Sequence, residues 1–328
     1  MKAITYLEYG SPDVLRYEEI GMPTPGDGDV LLRVRAAAAN PLDWHFMRGE
    51  PYAVRIVAGL SKPKVTQLGV DVSGEVEAVG RNVTRFKPGD VVFGSCQGAF
   101  AEYVRAPESA LVAKPDNVTF EEAAAVPVAA FTALQALRDK GRLQPGQKLL
   151  INGAAGGVGT FAVQIAKSLG AQVTGVCSTR NVDLVRSIGA DHVVDYTQAD
   201  FTQSSERYDL ILDLVGNHSL AEFGRVLNPK GIYVGAGGTS DRWMVGPLLQ
   251  MLRGFWMSLF GSRKFVGILA QMNQADLTIL RGLLESGKVT SVIDRTYGLA
   301  DVPAAIRYLE EGHARGKVVI TIGQDGKA

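Results

Sequence analysis

The sequence predicts an α/β protein of two domains, a small N-terminal β-barrel and a doubly wound parallel sheet. Three observations point there. Up to about residue 120, short runs of alternating character are separated by Gly, Pro and Asp turns, as in small barrels. From 148 to 235, apolar runs alternate with amphipathic stretches, the order expected of βαβ units. Between the first such run and the first amphipathic stretch lies the cluster Gly153-Ala154-Ala155-Gly156-Gly157-Val158-Gly159, which reads as a tight strand-to-helix turn.

In chain order, Met1 to Tyr6 begins a strand-like run and lacks the long apolar core of a signal peptide. The turn Pro25-Gly26-Asp27-Gly28-Asp29 opens a strand over Val30–Ala36, and Val72–Gly80 is another. Phe86-Lys87-Pro88-Gly89-Asp90 is a turn feeding Val91-Val92-Phe93, and Ala99–Val104 follows the break at Gly98. Thr119, with Glu122 in the capping-box place, starts a helix over Phe120–Val126. Pro127 interrupts it, and Ala130–Leu137 resumes the helical pattern. Strands are then expected at 148–152, 172–177, 192–195, 208–214 and 230–235, with helices at 158–169, 181–188 and 218–227. Helices over Ala275–Ser286 and Val302–Glu311 and a strand over Gly316–Ile322 close the chain.

Lys plus Arg and Asp plus Glu both number 34, so the formal charge is zero and nothing favours nucleic acid or an anionic surface as the main partner. Cys96 and Cys177 are the only cysteines, too few for a disulfide framework, which fits a reducing, cytoplasmic location. The apolar segment Trp243 to Phe260 is interrupted by Arg253 and falls short of the roughly 20 apolar residues of a membrane span. It reads as a buried helix, a dimer face or a roof over an apolar pocket.

The glycine turn is a candidate nucleotide site. Gly156 lets the backbone approach a pyrophosphate, Gly159 allows close helix–strand packing, and the first helical turn (Gly157, Val158, Gly159) aims its N–H groups at the anion. Ala154 stands where G-x-G-x-x-G has its first glycine. About 20 residues on, where NAD-binding folds place a carboxylate, the strand 172–177 runs into Ser178-Thr179-Arg180 without an acid. Two hydroxyls and a guanidinium suit a 2′-phosphate, so NADPH is expected over NADH, with Tyr196 covering the adenosine end. Val215 and Gly216, and Gly235 and Gly237, follow the next two strands and are expected to line the nicotinamide half. Asp213 reads as structural.

The barrel, the run Gly69-Val70-Asp71-Val72-Ser73-Gly74-Glu75-Val76, the Phe86–Asp90 turn and the glycine loop together resemble the medium-chain dehydrogenase/reductase superfamily over essentially the whole chain. The resemblance implies a discontinuous GroES-like domain (1–126 and 264–328), a Rossmann NADPH-binding domain (127–263) and an active site in the cleft between them. In the zinc enzymes of that superfamily the catalytic metal ligands fall, in this chain, on Asn40, Val70, Asp71 and near Ala129, none of them a thiolate or imidazole. No metal site is expected. That departure, with Asn40-Pro41-Leu42-Asp43-Trp44-His45, resembles the zinc-free quinone oxidoreductase (zeta-crystallin-like) branch, although His45 stands where that branch commonly has Tyr.

The branch resemblance implies an NADPH-dependent oxidoreductase for quinones or α,β-unsaturated carbonyls. It also implies a homodimer through the edge strand of the Rossmann sheet, near Lys264–Leu269. In this reading Asn40 holds the nicotinamide or acceptor oxygen by its amide, Thr132 assists, and Asp43 orients the loop. His45 is either a proton donor or a packed ring beside Trp44. Arg48 faces the substrate mouth or a salt bridge, and Lys317 reaches a cofactor phosphate, by analogy with a basic residue at that strand start. The alternatives are a zinc-type alcohol dehydrogenase and a non-catalytic NADPH-binding regulator.

Overall fold

The computed structural model describes residues 1–236 and 262–323. The expectations for Gly237 and for the segment 243–260 lie outside the described residues. The chain divides into two compact units. The first comprises Met1–Phe131, Met272–Gly287 and the described residues from Ser291 onward; the second comprises the described residues from Thr132 to Gln271 and Lys288–Thr290.

In the first unit, β1 (Lys2–Thr5) and β2 (Arg16–Glu19) pair antiparallel. The long β3 (Asp29–Ala39) organises the unit. One edge of it carries β4 (Asp71–Val79), which leads on to β5 (Val91–Ser95) and β7 (Leu111–Ala113). The other edge is shared, by β6 (Tyr103–Pro107) over Asp29–Arg33 and by the last strand of the chain over Ala36–Ala39. Arg33 and Arg35 on the outer face pair with Glu77 and Glu75 of β4, while Val30, Leu32 and Val34 face a core with Ile4, Val72, Val92 and Phe100. Between β3 and β4 come the helices α1 (Pro41–Arg48) and α2 (Val54–Ala58). Thr119 caps α3 (Phe120–Ala124) through the expected box with Glu122, and Ala124 packs on Ala36, Ala38 and Val319. The sequence after Pro127 forms α4 (Pro127–Gln135) and a π-helical turn over Ala136–Lys140.

Among the described residues the second unit forms a six-stranded, all-parallel sheet. Its strands are β8 (Lys148–Asn152), β9 (Gln172–Cys177), β10 (His192–Asp195), β11 (Tyr208–Asp213), β12 (Leu227–Gly235) and β13 (Lys264–Gly267). They lie in the order β10-β9-β8-β11-β12-β13, connected through α5 (Gly157–Ser168), α6 (Val182–Ser187) and α7 (Leu220–Val226). The order reverses beside β8, the strand that precedes the glycine turn, which is where open sheets of this kind receive ligands. The core on one face joins Leu150, Val176, Ile211, Phe223, Tyr233 and Phe265.

Residues 264–267 are the sixth strand of this sheet, so the chain returns to the first unit after Gln271 and not at 264 as expected. The returning chain forms α8 (Gln274–Glu285), β14 (Ile293–Gly298), α9 (Val302–Glu310) and β15 (Lys317–Thr321). β15 pairs parallel with β14 and antiparallel with β3, so the two ends of the sequence share one core.

Candidate functional site

In the second unit the parallel register brings the carboxyl ends of the strands to one edge. Asn152 lies beside Val176 and Asp213, Cys177 beside Asp195, and Gly235 beside Asp213 and Gly267. The residues that follow those strands therefore share an edge: Gly156–Gly159, Ser178–Arg180, Tyr196, Val215, Gly216 and Gly235. The glycine turn is built for a close approach. Gly153 takes φ +89°, supplying the left-handed residue one position before the buried Ala154. A Cβ on Gly159 would run into the Gly153 carbonyl and come within 2.7 Å of the Ala154 carbonyl carbon, so only glycine lets α5 start against this turn. A Cβ on Gly156 would meet nothing nearer than the Gly153 oxygen at 3.5 Å. Gly156 is the N-cap of α5, and no side chain caps the helix. The cradle thus offers uncapped N–H groups and room for an anion, and a pyrophosphate fits it.

At the end of β11 on that edge, Asp213 is fully buried and gathers four donors. The N–H groups of Val215 and Gly216 reach it at 3.1 and 3.0 Å, Asn152 Nδ2 at 2.9 Å and the Tyr233 hydroxyl at 2.7 Å. It shapes the Val215–Gly216 turn, as its structural reading implies. After β9 and β10 on the same edge, Thr179 and Arg180 are exposed, Ser178 is half-buried and Tyr196 is 54% exposed. The Thr179 hydroxyl donates to Asp195 at 2.6 Å, a contact the sequence reading did not include.

In the first unit, Asn40, Asp43, Asp71 and Lys317 meet in one buried cluster, none more than 3% exposed. Asn40 is the N-cap of α1, and Asp43, three residues on, accepts from its N–H at 2.8 Å. The other Asp43 oxygen accepts from Gly69 N–H at 3.0 Å, which ties α1 to the chain entering β4. Lys317 Nζ donates to Asn40 Oδ1 at 2.6 Å and lies 3.3 Å from Asp71 Oδ2. Asn40 Nδ2 donates to the same Asp71 oxygen at 2.9 Å and to Ala38 O at 3.2 Å, and Val128 N–H donates to Asp71 Oδ1 at 2.9 Å.

Two expectations change here. The Asn40 amide, expected to hold a nicotinamide or acceptor oxygen, has both ends engaged inside the protein. Lys317, expected to reach a cofactor phosphate, points instead into this cluster, because two buried carboxylates draw its ammonium inward.

Burial pushes the Asp43 carboxyl up to about 7, against the two N–H bonds that favour the anion. Unfolded, the group ionises near its ordinary value of 3.8, so the fold holds an extra proton between these values. Its contribution to stability therefore falls as pH rises through that window and is level above it. Burial also pushes Asp71 up, opposed first by the Lys317 ammonium. The Cys96 thiol is driven well above its usual range by burial and by Asp71, and stays protonated.

His45 stacks on Trp44 with ring centroids 3.7 Å apart, and its Nδ1 lies 2.7 Å from the Glu50 carbonyl oxygen. A carbonyl only accepts, so Nδ1 carries the proton, and burial holds the ring's pKa below its ordinary value. The neutral ring therefore presents Nε2 as an acceptor; a proton-donor role needs the imidazolium that burial disfavours. Arg48 forks onto Glu310 in a two-point ion pair. Thr132 is half-buried on α4 and belongs to the second unit.

Residues 26–116 match the family described as "Alcohol dehydrogenase GroES-like domain" and residues 188–320 the family described as "Zinc-binding dehydrogenase". The chain is 33% identical to the chloroplastic quinone-oxidoreductase homolog of Spinacia oleracea over 98% of each sequence. It is 35% identical to the 2-methylene-furan-3-one reductase of Solanum lycopersicum over 98% of this chain and 79% of that one. The solved quinone oxidoreductase from Coxiella burnetii superposes with a TM-score of 0.85 at 30% identity, covering 98% of this chain and 99% of that one. The chain belongs to the quinone oxidoreductase group of the medium-chain dehydrogenase/reductase superfamily.

Zinc is implied by one of the matched family descriptions, and the residues of this superfamily member do not fit it. At the positions where the resemblance implies zinc ligands, Asn40 and Asp71 place a carboxamide and a carboxylate joined by an ammonium. Among the described residues, no three His, Cys, Asp or Glu side chains converge as metal ligands would. Among the described residues no helix is long and apolar enough to cross a membrane.

Proposed function

We propose that the chain is a zinc-independent reductase that uses NADPH to transfer hydride to a quinone or an α,β-unsaturated carbonyl. The observation that carries this reading is the Lys317 ammonium seated between Asn40 and Asp71. It takes the electrostatic place that a divalent cation would need, and it is too deeply buried to polarise a substrate oxygen. A simple ketone needs such polarisation, whereas a conjugated acceptor spreads the incoming charge over its own π-system. The names of the relatives, quinone oxidoreductase and 2-methylene-furan-3-one reductase, support the same acceptor class.

NADPH supplies the hydride, from C4 of its nicotinamide. In this reading Gly156–Gly159 hold the pyrophosphate and Val215, Gly216 and Gly235 flank the nicotinamide. Ser178 and Arg180 receive the 2′-phosphate under Tyr196. Asn40 and Asp43 act as positioning residues that fix the start of α1. β13 ends the sheet among the described residues, and its open edge supports a homodimer through Lys264–Gly267. The two free thiols suit a cytoplasmic protein.

The regiochemistry of enone reduction tests the reaction. With NADPH and a simple enal such as crotonaldehyde, the expected product is the saturated aldehyde, its β-carbon carrying the transferred hydrogen. Formation of the allylic alcohol alone would mean that carbonyl polarisation operates and would refute the reading.

A further inference from the structure

Asp195 ends β10 beside Cys177, the last residue of β9, and so stands at the turn that begins with Ser178. Tyr196 N–H donates to Cys177 O at 3.0 Å, which holds the end of β10 against that turn. Both oxygens of Asp195 are occupied by donors from this edge. Thr179 Oγ1 donates to Oδ2 at 2.6 Å, Thr197 Oγ1 to Oδ1 at 2.8 Å, Thr197 N–H to Oδ1 at 2.9 Å and Gln198 Nε2 to Oδ2 at 3.1 Å. These bonds, that of Thr179 first, hold the carboxyl below its ordinary range, so it is an anion at neutral pH.

A hydroxyl has one proton. The Thr179 and Thr197 hydroxyls also lie 2.9 Å apart; with their protons committed to Asp195 or to each other, both offer an approaching phosphate only lone pairs. The loop that supplies a guanidinium and hydroxyls for a 2′-phosphate therefore also carries a fixed negative charge one hydroxyl away. We propose that Asp195 is a specificity-determining residue for the nicotinamide cofactor: its carboxylate restrains 2′-phosphate binding and keeps NADH usable beside NADPH. The proposal rests on the adenosine end lying at Ser178–Arg180, as in the function proposed above.

Replacing Asp195 with Asn removes the charge and, because a carboxamide has one acceptor oxygen, frees one hydroxyl to donate to phosphate. The expected result is about a tenfold rise, about 1.4 kcal/mol, in the ratio of kcat/KM for NADPH to that for NADH. The change should come from NADPH, with NADH within twofold of wild type. Asp195→Ser, smaller and also uncharged, should move the ratio in the same direction. A ratio within twofold of wild type in either variant, or a change produced only by loss of NADH activity, overturns the proposal. Arg180→Ala, measured in parallel, separates the two claims. Equal losses with both cofactors would remove Arg180 from the phosphate site, while a raised ratio in the Asp195 variants would still uphold the role of Asp195.

Discussion

Replacing Lys317 with Met is expected to lower the free energy of unfolding by about 3–5 kcal/mol, the usual result of stranding one member of a buried ion pair. The variant leaves Asp71 with Asn40 and Val128 N–H as donors but no counter-charge, in a site where both carboxylates are fully buried. The loss should depend on pH with a definite sign. Asp71 and Asp43 are both pushed upward by burial, and removing the ammonium pushes them further. At about pH 5.5 the fold can take up protons there and the deficit is small; at about pH 8 it must bury anions and the deficit is largest. Urea unfolding of wild type and Lys317→Met at the two pH values checks this. The double variant Lys317→Met/Asp71→Asn should recover at least half of the loss, since a carboxamide at 71 still accepts from Val128. A loss equal at both pH values, or no recovery in the double variant, would contradict the ion-pair account.

The second large effect concerns the cradle, where two glycines should fail in different ways. Gly156→Ala adds a methyl group whose only near neighbour is the Gly153 oxygen, at ordinary contact distance, so the fold should keep its thermal midpoint within about one degree. The same methyl occupies the space assigned to the pyrophosphate, and nucleotide affinity should fall at least about 30-fold, near 2 kcal/mol. Gly159→Ala places its methyl against the backbone of the turn itself, so stability should drop by about 1–3 kcal/mol along with nucleotide affinity. Calorimetric titration with NADPH, paired with thermal unfolding of each variant, distinguishes these outcomes. Unchanged affinity in Gly156→Ala would mean that the anion does not lie on the α5 N-terminus.

Where structure follows local patterning, it was legible in the sequence. The strands β8 to β12 and the helices between them lie close to their expected places, because each is an apolar run or an amphipathic stretch bounded by its own turn residues. The capping box of α3 was readable from Thr119 and Glu122 alone. Elements without such a signal were not. β2, Arg-Tyr-Glu-Glu, is exposed at every position and shows no alternation. β13 reads in the sequence both as the Rossmann edge strand and as the beginning of the returning segment, and its pairing with β12 decides for the first.

The site divides in the same way. The glycine turn announces itself, although the left-handed residue proved to be Gly153, just before the position where the motif is conventionally read. The direction of Lys317 was not legible, since Asp71 lies 246 residues away and the two meet only because β15 and β4 both pair with β3. Reading Asn40 as a substrate-binding amide failed for the same reason: its partners, Lys317 and Asp71, come from distant strands. Asp195 did leave a signal, a carboxylate at a strand end next to Tyr196, but its meaning depends on which strand β10 lies against.

The central claim, zinc-independent reduction of a conjugated acceptor by NADPH, is tested most directly by following the loss of reduced-nicotinamide absorbance with phenanthrenequinone. The assay is run before and after exhaustive treatment with EDTA, with the metal content of the protein measured in parallel. The expected result is acceptor-dependent NADPH oxidation that EDTA leaves unchanged, with zinc far below one per chain. Activity abolished by the chelator and restored by zinc at one per chain would contradict the account, and so would tight NADPH binding without turnover of any quinone or enone.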